Sequence, residues 1–167
     1  MDLKLMGLAD EVLTELDDIG LEVKWGIEYK VNKRLKRTLG KCKRICDGHY
    51  LIEISEMVLA GDAAYTKQVI AHEILHTFPK CMNHGKEWKR LANIVNSSLG
   101  YTIDRLADRN EFVASIGEEA YFSRYKYKAE CQRCGVEIYR MNKSKFIQNP
   151  QHYYCSKCGG KYIITEL

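Results

Sequence analysis

The sequence feature that most constrains the fold is a set of three histidines within thirteen residues. His72 and His76 frame the string His72-Glu73-x-x-His76, and His84 follows after a further seven residues. On an α-helix, residues four positions apart lie about 40° apart around the axis and one turn apart along it. The imidazoles of His72 and His76 can therefore meet at one ion if this segment is helical.

The residues around the string support a helix with an apolar back. We predict a helix over residues 66–78. Its apolar residues fall on the side away from the histidines, and they are Ile70, Ile74, Leu75 and Phe78. Pro79 cannot continue the helix, and a bend at Asn83-His84-Gly85 precedes a second amphipathic helix over Lys86–Leu99. This bend can bring His84 back as a third ligand.

Three imidazoles and a glutamate at this spacing are typical of a catalytic zinc site. Three protein ligands leave the fourth position of zinc to water, whose pKa falls to about 7. Glu73 projects about 60° from His76 around the helix, where it can take a proton from that water. The pattern predicts Zn²⁺ on His72, His76 and His84, with Glu73 as the catalytic base for peptide hydrolysis. The alternative is a chance string on a solvated helix, which the apolar helix face and the third histidine disfavour.

Four of the seven cysteines form a second pattern, Cys131-x-x-Cys134 and Cys155-x-x-Cys158, with twenty residues between the pairs. Each pair can form a knuckle that presents two thiolates, and the glycine that follows each pair permits a tight turn beneath a metal ion. The spacing predicts a structural Zn²⁺ bound by all four. Two disulfides or a redox pair are the alternative, which fits poorly with the paired spacing and with a reducing cytoplasm.

The other three cysteines lack such partners. Cys42 and Cys46 have only His49 nearby, so we favour ordinary, partly buried residues over a third metal site. Cys81 lies close to the predicted catalytic ion and could compete for it. A thiolate would make zinc less electrophilic, so we favour His84 as the third ligand.

The hydrophobic pattern predicts an α+β fold. Apolar residues at helical spacing cover residues 2–19, and alternation predicts a strand over residues 23–31. A second strand around residues 36–45, the turn Asp47-Gly48 and a strand over Tyr50–Ile54 complete the prediction. We expect a small antiparallel sheet packed with helices, including a zincin-type active-site helix. Farther along the chain, residues 101–126 are less readable, and Glu111–Ala120 is either a short helix or a loop across the cleft.

Length favours one compact domain with a small appendage. We assign residues 1–126 to a metallopeptidase domain and residues 127–167, with their short strands and turns, to a C-terminal β zinc ribbon. No run approaches the roughly 18 apolar residues of a membrane span, and the N-terminus is acidic instead of positive and apolar. We therefore expect a cytoplasmic monomer with no membrane partner.

Positive charge is concentrated in residues 24–44, which hold nine Lys or Arg against one acid, Glu28. The ribbon interleaves aromatic and cationic residues, which can stack on bases and contact phosphates. A solvated sheet face and a ribbon core are the alternative uses of these residues. The predicted contacts to DNA, single-stranded or structured, are Lys33, Arg34, Lys36, Arg37, Lys43, Arg44, Tyr139, Arg140 and Tyr153.

The combined motifs resemble the SprT-like metallopeptidases, which include the Spartan proteases. The matching parts are His72-Glu73-x-x-His76, His84-Gly85-x-x-Trp88, the double Cys-x-x-Cys ribbon and an upstream sheet containing Thr38-Leu39-Gly40. The resemblance implies that the three histidines bind the catalytic zinc, that Glu73 is general base and acid, and that the ribbon cysteines bind a structural zinc. Members such as Spartan cleave proteins crosslinked to DNA and are activated by DNA.

Three functional hypotheses follow. The leading one is a zinc-dependent endopeptidase that acts on DNA-associated or DNA-crosslinked proteins, at the nucleoid or in the nucleus of a eukaryote. The second is a nucleic-acid-binding zinc-ribbon module with little or no proteolytic activity, which the intact Glu73 disfavours. The third is a metal hydrolase that does not cut peptides. Tyr65, Tyr101 and Tyr121 are candidates for stabilising the oxyanion.

Overall fold

The computed structural model describes residues 2–167, which form two compact units. The first unit ends at Glu118, and the second comprises Glu119–Leu167. Each unit contains helices and one small three-stranded sheet, which confirms the α+β prediction at that level. The predicted domain boundary between residues 126 and 127 lies within the second unit, and the domain assignment stays a prediction.

The elements of the first unit follow one another in a simple order. They are α1 (Leu3–Asp18), β1 (Gly26–Asn32), β2 (Gly40–Cys46), β3 (His49–Ser55), α2 (Glu56–Ala60), α3 (Ala63–Leu75), α4 (Lys86–Leu99) and α5 (Arg109–Ile116). At the junction with the second unit lies α6 (Glu118–Ser123). The second unit continues with β4 (Tyr127–Cys131), β5 (Glu137–Arg140), α7 (Lys145–Gln148), a 3₁₀ turn (Pro150–His152) and β6 (Tyr162–Glu166).

Helix α1 matches its prediction to within one residue at each end. The Asp2 carboxylate accepts a hydrogen bond from the N–H of Leu5 at 3.0 Å, which satisfies an otherwise unpaired donor at the start of the helix. Gly20 stops the helix in the left-handed region, with φ at +79°. The buried residues lie on one stripe, and they are Leu5, Leu8, Ala9, Val12 and Leu16.

The first sheet has the order β1-β3-β2, so the predicted antiparallel sheet is wrong in one pairing. β2 and β3 form the predicted antiparallel hairpin, with Gly48 at φ +67° in its turn. β1 instead pairs with β3 in parallel. β3 carries Ile52 and Ile54, both fully buried, and takes the central position. The chain leaves β1 and crosses the end of β3 through residues 33–39, which places β2 on the far side.

Ser55, the last residue of β3, holds this crossing loop (residues 33–39) in place. Its N–H donates to the carbonyl of Leu39 at 2.8 Å, and its hydroxyl donates to the carbonyl of Leu35 at 2.8 Å. The Ser55 side chain is buried. The loop therefore has a defined conformation where it approaches α3.

Helix α3 lies three residues earlier than the predicted helix over residues 66–78. It begins early because the Asp62 carboxylate caps the N–H of Tyr65 at 2.9 Å. It ends early because His76, Thr77 and Phe78 donate to carbonyls three residues back, which tightens the last turn. His76 keeps right-handed helical dihedrals as the C-cap. The four-residue spacing to His72 is thus preserved.

Residues 101–126, whose structure the sequence pattern did not define, contain two short helices, α5 and α6, separated by Gly117 at φ +84°. Residues 101–108, which precede α5, form no helix or strand and contain only a bend at residues 105–106. The helix alternative for Glu111–Ala120 is therefore closer to the structure than a loop. Within residues 2–167, none of the helices combines the length and apolar character that crossing a membrane requires.

The second unit is built on an antiparallel sheet of order β5-β4-β6. Its strands are only four or five residues long. The few buried apolar residues include Ala129 and Ile147, and the Phe146 ring packs edge-on against Tyr153 and Tyr162. So small a core is typical of a unit that needs a further stabilising element.

Replacing Ser55 by Ala is expected to destabilise the protein by about 1 kcal/mol, because the Leu35 carbonyl loses its buried donor. Urea unfolding followed by circular dichroism measures the loss. Ser97→Ala is the matched control, since its hydroxyl makes an exposed bond to a carbonyl within α4. Equal midpoints for the two variants would show that Ser55 does not secure the loop.

Candidate active site and metal centres

Helix α3 and the turn after it bring the three predicted histidines together. One ligand nitrogen from each of His72, His76 and His84 lies within 4.8 Å of the other two. The Nε2 atoms of His72 and His84 are 3.1 Å apart. Zinc–nitrogen distances of about 2.0 to 2.1 Å in a tetrahedral site imply a separation of roughly 3.3 Å between ligand nitrogens. The imidazole cluster therefore has the size of a zinc site.

Backbone carbonyls orient two of these imidazoles. The Nδ1–H of His76 donates to the carbonyl of Cys81 at 2.6 Å, and the His72 ring donates to the carbonyl of Asp104. A histidine whose one nitrogen donates in this way has its other nitrogen free to bind a metal. The bond at Nδ1 of His76 leaves its Nε2 atom free to ligate, and the Nε2 atoms of His72 and His84 already lie next to each other.

Cys81 lies in the turn between α3 and α4, and the backbone of this turn fixes its position. Lys80 adopts φ +63°, an unusual value for a residue with a side chain, and the N–H of Cys81 donates to the Phe78 carbonyl at 3.1 Å. Cys81 is fully buried, and its thiol is not part of the ligand cluster. Cys81 contributes its carbonyl to His76, and His84 as the third ligand stays a prediction.

Burial keeps the imidazoles in their neutral form. Loss of hydration, together with the neighbouring His76 and His84, lowers the pKa of His72 to about 3. Burial also lowers the pKa values of His76 and His84. Metals bind neutral imidazole, so at pH 7 these side chains need release no proton when they ligate an ion.

Trp88 of α4 forms the apolar wall behind the histidines. Its ring lies 4.5 Å from His84 and 4.8 Å from His72 between centroids, and it stacks on His76 at 5.6 Å. Trp88 is almost completely buried. This wall restricts the rotamers of all three imidazoles and keeps water from that side of the cluster. The motif His84-Gly85-x-x-Trp88 contained the residue, but its role could not be read from sequence.

Glu73 belongs to α3, and its side chain lies against the edge strand β2. Burial raises the pKa of its carboxyl group to about 7, while a hydrogen bond from the Cys42 N–H opposes that rise. Gly40 approaches so closely that a Cβ atom there would lie 2.7 Å from the Cγ of Glu73. A cation on the histidines would stabilise the ionised carboxylate and lower its pKa. Glu73 is thus a fixed group with the pKa of a useful acid or base.

A cavity of about 260 Å³ opens beside His72 and Glu73. Its walls come from the crossing loop, from α3, from residues 102–108 and from Glu111 of α5. Pockets for drug-sized ligands typically start at about 300 Å³, so this one suits a part of a larger molecule, such as one side chain. Residues 101–126, whose structure the sequence pattern did not define, therefore contribute to the cavity.

The three tyrosines considered for oxyanion stabilisation occupy different places. Tyr65 lines the cavity with His72 and Glu73, two helical turns before His72 on α3. Tyr101 donates to the carboxylate of Glu15 on α1. Tyr121 belongs to the second unit and contacts Tyr125 there. Of the three, Tyr65 alone lines the cavity.

Four cysteines of the second unit also converge, with all four Sγ atoms within 4.8 Å of one another; they are Cys131, Cys134, Cys155 and Cys158. Cys131 and Cys158 are 3.5 Å apart, and Cys134 and Cys155 are 3.7 Å apart. Zinc–sulfur bonds of about 2.3 Å in a tetrahedron imply about 3.8 Å, whereas a disulfide requires about 2.05 Å. The thiols have the spacing of metal ligands and are not joined as disulfides.

The local backbone supports both knuckles. N–H groups of Arg133 and Cys134 point at the Cys131 sulfur, and those of Lys157 and Cys158 point at the Cys155 sulfur. The glycine after each pair has positive φ, +70° at position 135 and +72° at position 159, as predicted. These N–H groups stabilise thiolates, the form that binds metal.

Cys42, Cys46 and His49 remain outside both clusters. His49 pairs with Glu28 at 2.8 Å. Cys42 is half-buried, and burial raises the pKa of its thiol to about 12. The described part of the chain contains no third group of converging ligands. That these residues are not a metal site stays a prediction.

The predicted DNA contacts of the first unit fall in two places. Lys33, Arg34, Lys36 and Arg37 are exposed on the crossing loop, and Arg37 reaches the cavity. Several of the basic residues have acidic neighbours: Lys33 lies 3.1 Å from Glu56, Lys43 lies 2.6 Å from Glu53, and Arg44 pairs with Asp47. Most of the exposed cations among the predicted DNA contacts therefore lie on the crossing loop, and fewer lie on β2.

In the second unit, Tyr139 is not an open stacking platform. Its ring contacts Phe122 at 4.8 Å and its hydroxyl donates to Glu137. Arg140 is exposed with its guanidinium over Phe146, and Tyr153 is 39% exposed. Tyr154 is more exposed, at 64%, with the Lys161 ammonium 3.5 Å from its ring centre. Contact with nucleic acid stays a prediction for all of these residues.

The site has the arrangement of a metallopeptidase-like domain. It combines two converging histidines on one helix, a third histidine from the turn that follows, and a buried glutamate. The chain belongs to the SprT-like family, whose sequence pattern matches residues 9–107, more than half of its length. It is also similar to the germ cell nuclear acidic-1 protein of Caenorhabditis elegans, with 24% identity over 163 residues. That alignment covers 94% of this chain and 27% of the relative, so the chain spans about a quarter of that protein's length.

We expect the wild-type protein to retain two zinc ions per chain after dialysis, and His84→Ala and Cys155→Ser to retain one each, because each removes a ligand from a different cluster. Inductively coupled plasma mass spectrometry counts the ions. His152→Ala and Cys46→Ser are matched controls, since both residues lie outside the clusters. Two ions in His84→Ala would exclude the imidazole site.

Proposed function

We propose that this chain is a zinc-dependent endopeptidase that acts on proteins associated with or crosslinked to DNA. Three neutral imidazoles beside a buried glutamate, at the mouth of a cavity next to a sheet edge, are the observation that carries the proposal. In it, residues 1–126 form the SprT-like metallopeptidase domain, and residues 127–167 form the zinc ribbon. His72, His76 and His84 hold one zinc, and Cys131, Cys134, Cys155 and Cys158 hold the other.

Zinc held by the three imidazoles would supply a Lewis acid and would activate a water molecule as the nucleophile. Glu73 takes a proton from the attacking water and delivers it to the leaving amine. The Cys42 N–H and the close contact with Gly40 hold the carboxylate in one position during both transfers. Burial also keeps bulk water from competing for that proton.

β2 offers a binding edge for the substrate backbone. Among the residues that the structure describes, it pairs with β3 on one side only, and Gly40 on this strand lines the cavity beside Glu73. An extended peptide can add to an open strand edge through main-chain hydrogen bonds, with side chains entering neighbouring pockets. Docking along β2 would present a peptide bond near Glu73 and one side chain to the cavity.

Two observations support an association with DNA. The exposed cations of the crossing loop adjoin the cavity, and the relative with 24% identity is named as a nuclear protein. In this proposal the loop and the exposed aromatic and cationic residues of the ribbon contact single-stranded or structured DNA. The protein works as a monomer in the cytoplasm, at the nucleoid or in a nucleus, and cuts proteins held on that DNA.

Glu73→Gln should keep both metal ions and lower the rate of cleavage of a DNA-bound protein by about a hundredfold or more, because the amide cannot accept the proton. Gel analysis of the cleaved protein, with metal counted in the same sample, measures both. Glu118→Gln is the matched control, an exposed glutamate outside the cavity. Undiminished cleavage by Glu73→Gln with two ions bound would remove Glu73 from the mechanism.

Arg34→Ala and Arg37→Ala should each weaken binding to single-stranded DNA and lower the slope of log affinity against log salt by about 0.7, the value for one phosphate contact. Fluorescence anisotropy across a salt series gives the slope. Lys24→Ala is the control, a cation paired with Glu22 outside the predicted contacts. Cleavage without salt-dependent DNA binding would separate peptidase activity from DNA, and DNA binding without cleavage would favour a binding module.

A further inference from the structure

A groove runs along the open edge of β1, the second edge strand of the first sheet. We name it the α1–β1 groove; Asp10, Leu13 and Asp17 line its helix side, and Ile27 and Tyr29 line its strand side. Its volume is about 510 Å³. Beyond Tyr29 it adjoins a second cavity of about 700 Å³ that includes Val31. Together the two cavities extend along most of β1.

The backbone of β1 is available along this groove. Within residues 2–167, β1 pairs only with β3, and the N–H of Gly26 donates to the Gly48 carbonyl at 2.9 Å on that side. In a parallel ladder, alternate residues direct both backbone groups to the same neighbour. The backbone N–H and C=O groups of Ile27, Tyr29 and Val31 therefore face the open edge. These residues also contribute side chains to the two cavities.

The α1–β1 groove itself carries charge of one sign, whereas the second cavity is mixed, with Lys4, Lys30 and Lys33 beside Asp2 and Glu56. The lining of the groove includes three carboxylates, from Asp10, Asp17 and Glu22, and no Lys or Arg among the described residues. The chain as a whole carries a net charge of +4, so this acidity is local. A nucleic-acid backbone would be repelled here, whereas a cationic side chain would be attracted.

Two polar groups of the groove also lack partners. Within residues 2–167, the Tyr29 hydroxyl and the Trp25 indole N–H are buried and make no hydrogen bond. Asp10 adds to burial in raising the pKa of Tyr29, which shows that the carboxylate lies near this hydroxyl. Unpaired buried polar groups are uncommon in folded proteins and are costly unless something satisfies them.

We propose that the α1–β1 groove binds an extended basic segment of a partner protein, which adds to β1 as a fourth strand. Main-chain hydrogen bonds pair it with Ile27, Tyr29 and Val31, and its Lys or Arg side chains reach Asp10 and Asp17. A second copy of β1 fits less well, because the side chains it would turn into the groove are Ile27, Tyr29 and Val31, which carry no positive charge. The proposal is independent of the metal sites.

Short peptides of alternating Lys and Val, with capped ends and a fluorescent label, test this on the wild-type full chain. We expect binding by anisotropy that weakens with salt, no binding by the peptide with Glu for Lys, and weaker binding by one with N-methylated alternate residues. Hydrogen exchange should slow at Ile27, Tyr29 and Val31, and mass spectrometry checks that the peptide stays intact. The proposal would be overturned if the peptide slowed hydrogen exchange only in β2. It would also be overturned if β1 were already protected without peptide because the protein forms a dimer.

Asp17→Lys and Asp18→Lys form a matched pair for the charge contact. Both residues are exposed in the last turn of α1, where a cation suits the helix dipole, and Asp17 lines the groove while Asp18 does not. We expect Asp17→Lys to weaken binding of the Lys peptide about fivefold and Asp18→Lys to leave it nearly unchanged. Equal affinities for the two variants would overturn the assignment of the groove.

Discussion

The candidate site depends on a buried helix that carries polar side chains, each of which must find a partner. In α3, Thr66 donates to backbone carbonyls, His72 donates to the Asp104 carbonyl, and Glu73 accepts from the Cys42 N–H. His76, which caps the helix, donates to Cys81. Four separate backbone segments are thereby fixed around one helix. The geometry of the histidines follows from these bonds as much as from their spacing.

The sequence predicted the parts of the site that side chains define. Periodicity located α3, and the spacing of His72, His76 and His84 predicted their convergence, which the structure contains. The bonds that orient them come from the backbone carbonyls of Cys81 and Asp104. Every residue has such a carbonyl, so the sequence does not indicate which of them accept these bonds. Gly40 was a readable signal, since glycine inside a strand often marks a close backbone approach. Its contact with Glu73 required the fold.

The sheet shows the limit of local patterns more clearly. Alternation in β1 and the Asp47-Gly48 turn predicted strands and one hairpin, and both are present. The parallel pairing of β1 with β3 depends on a crossing loop whose course is set by the bonds of Ser55. Different strand orders use the same local strand and turn structures and differ only in long-range packing. Short-range sequence signals therefore could not predict the order.

That strand order also bears on how the protein avoids self-association. β3 contains Leu51, Ile52 and Ile54, the kind of short apolar strand that stacks into fibrils when its edge is exposed. In a simple meander it would have been an edge strand. With the loop crossing its end, β3 is covered on both sides, and β1 and the lysine-rich β2 become the edges. The crossing thus disfavours aggregation through β3, since the most apolar strand of the sheet has no free edge to pair with another molecule.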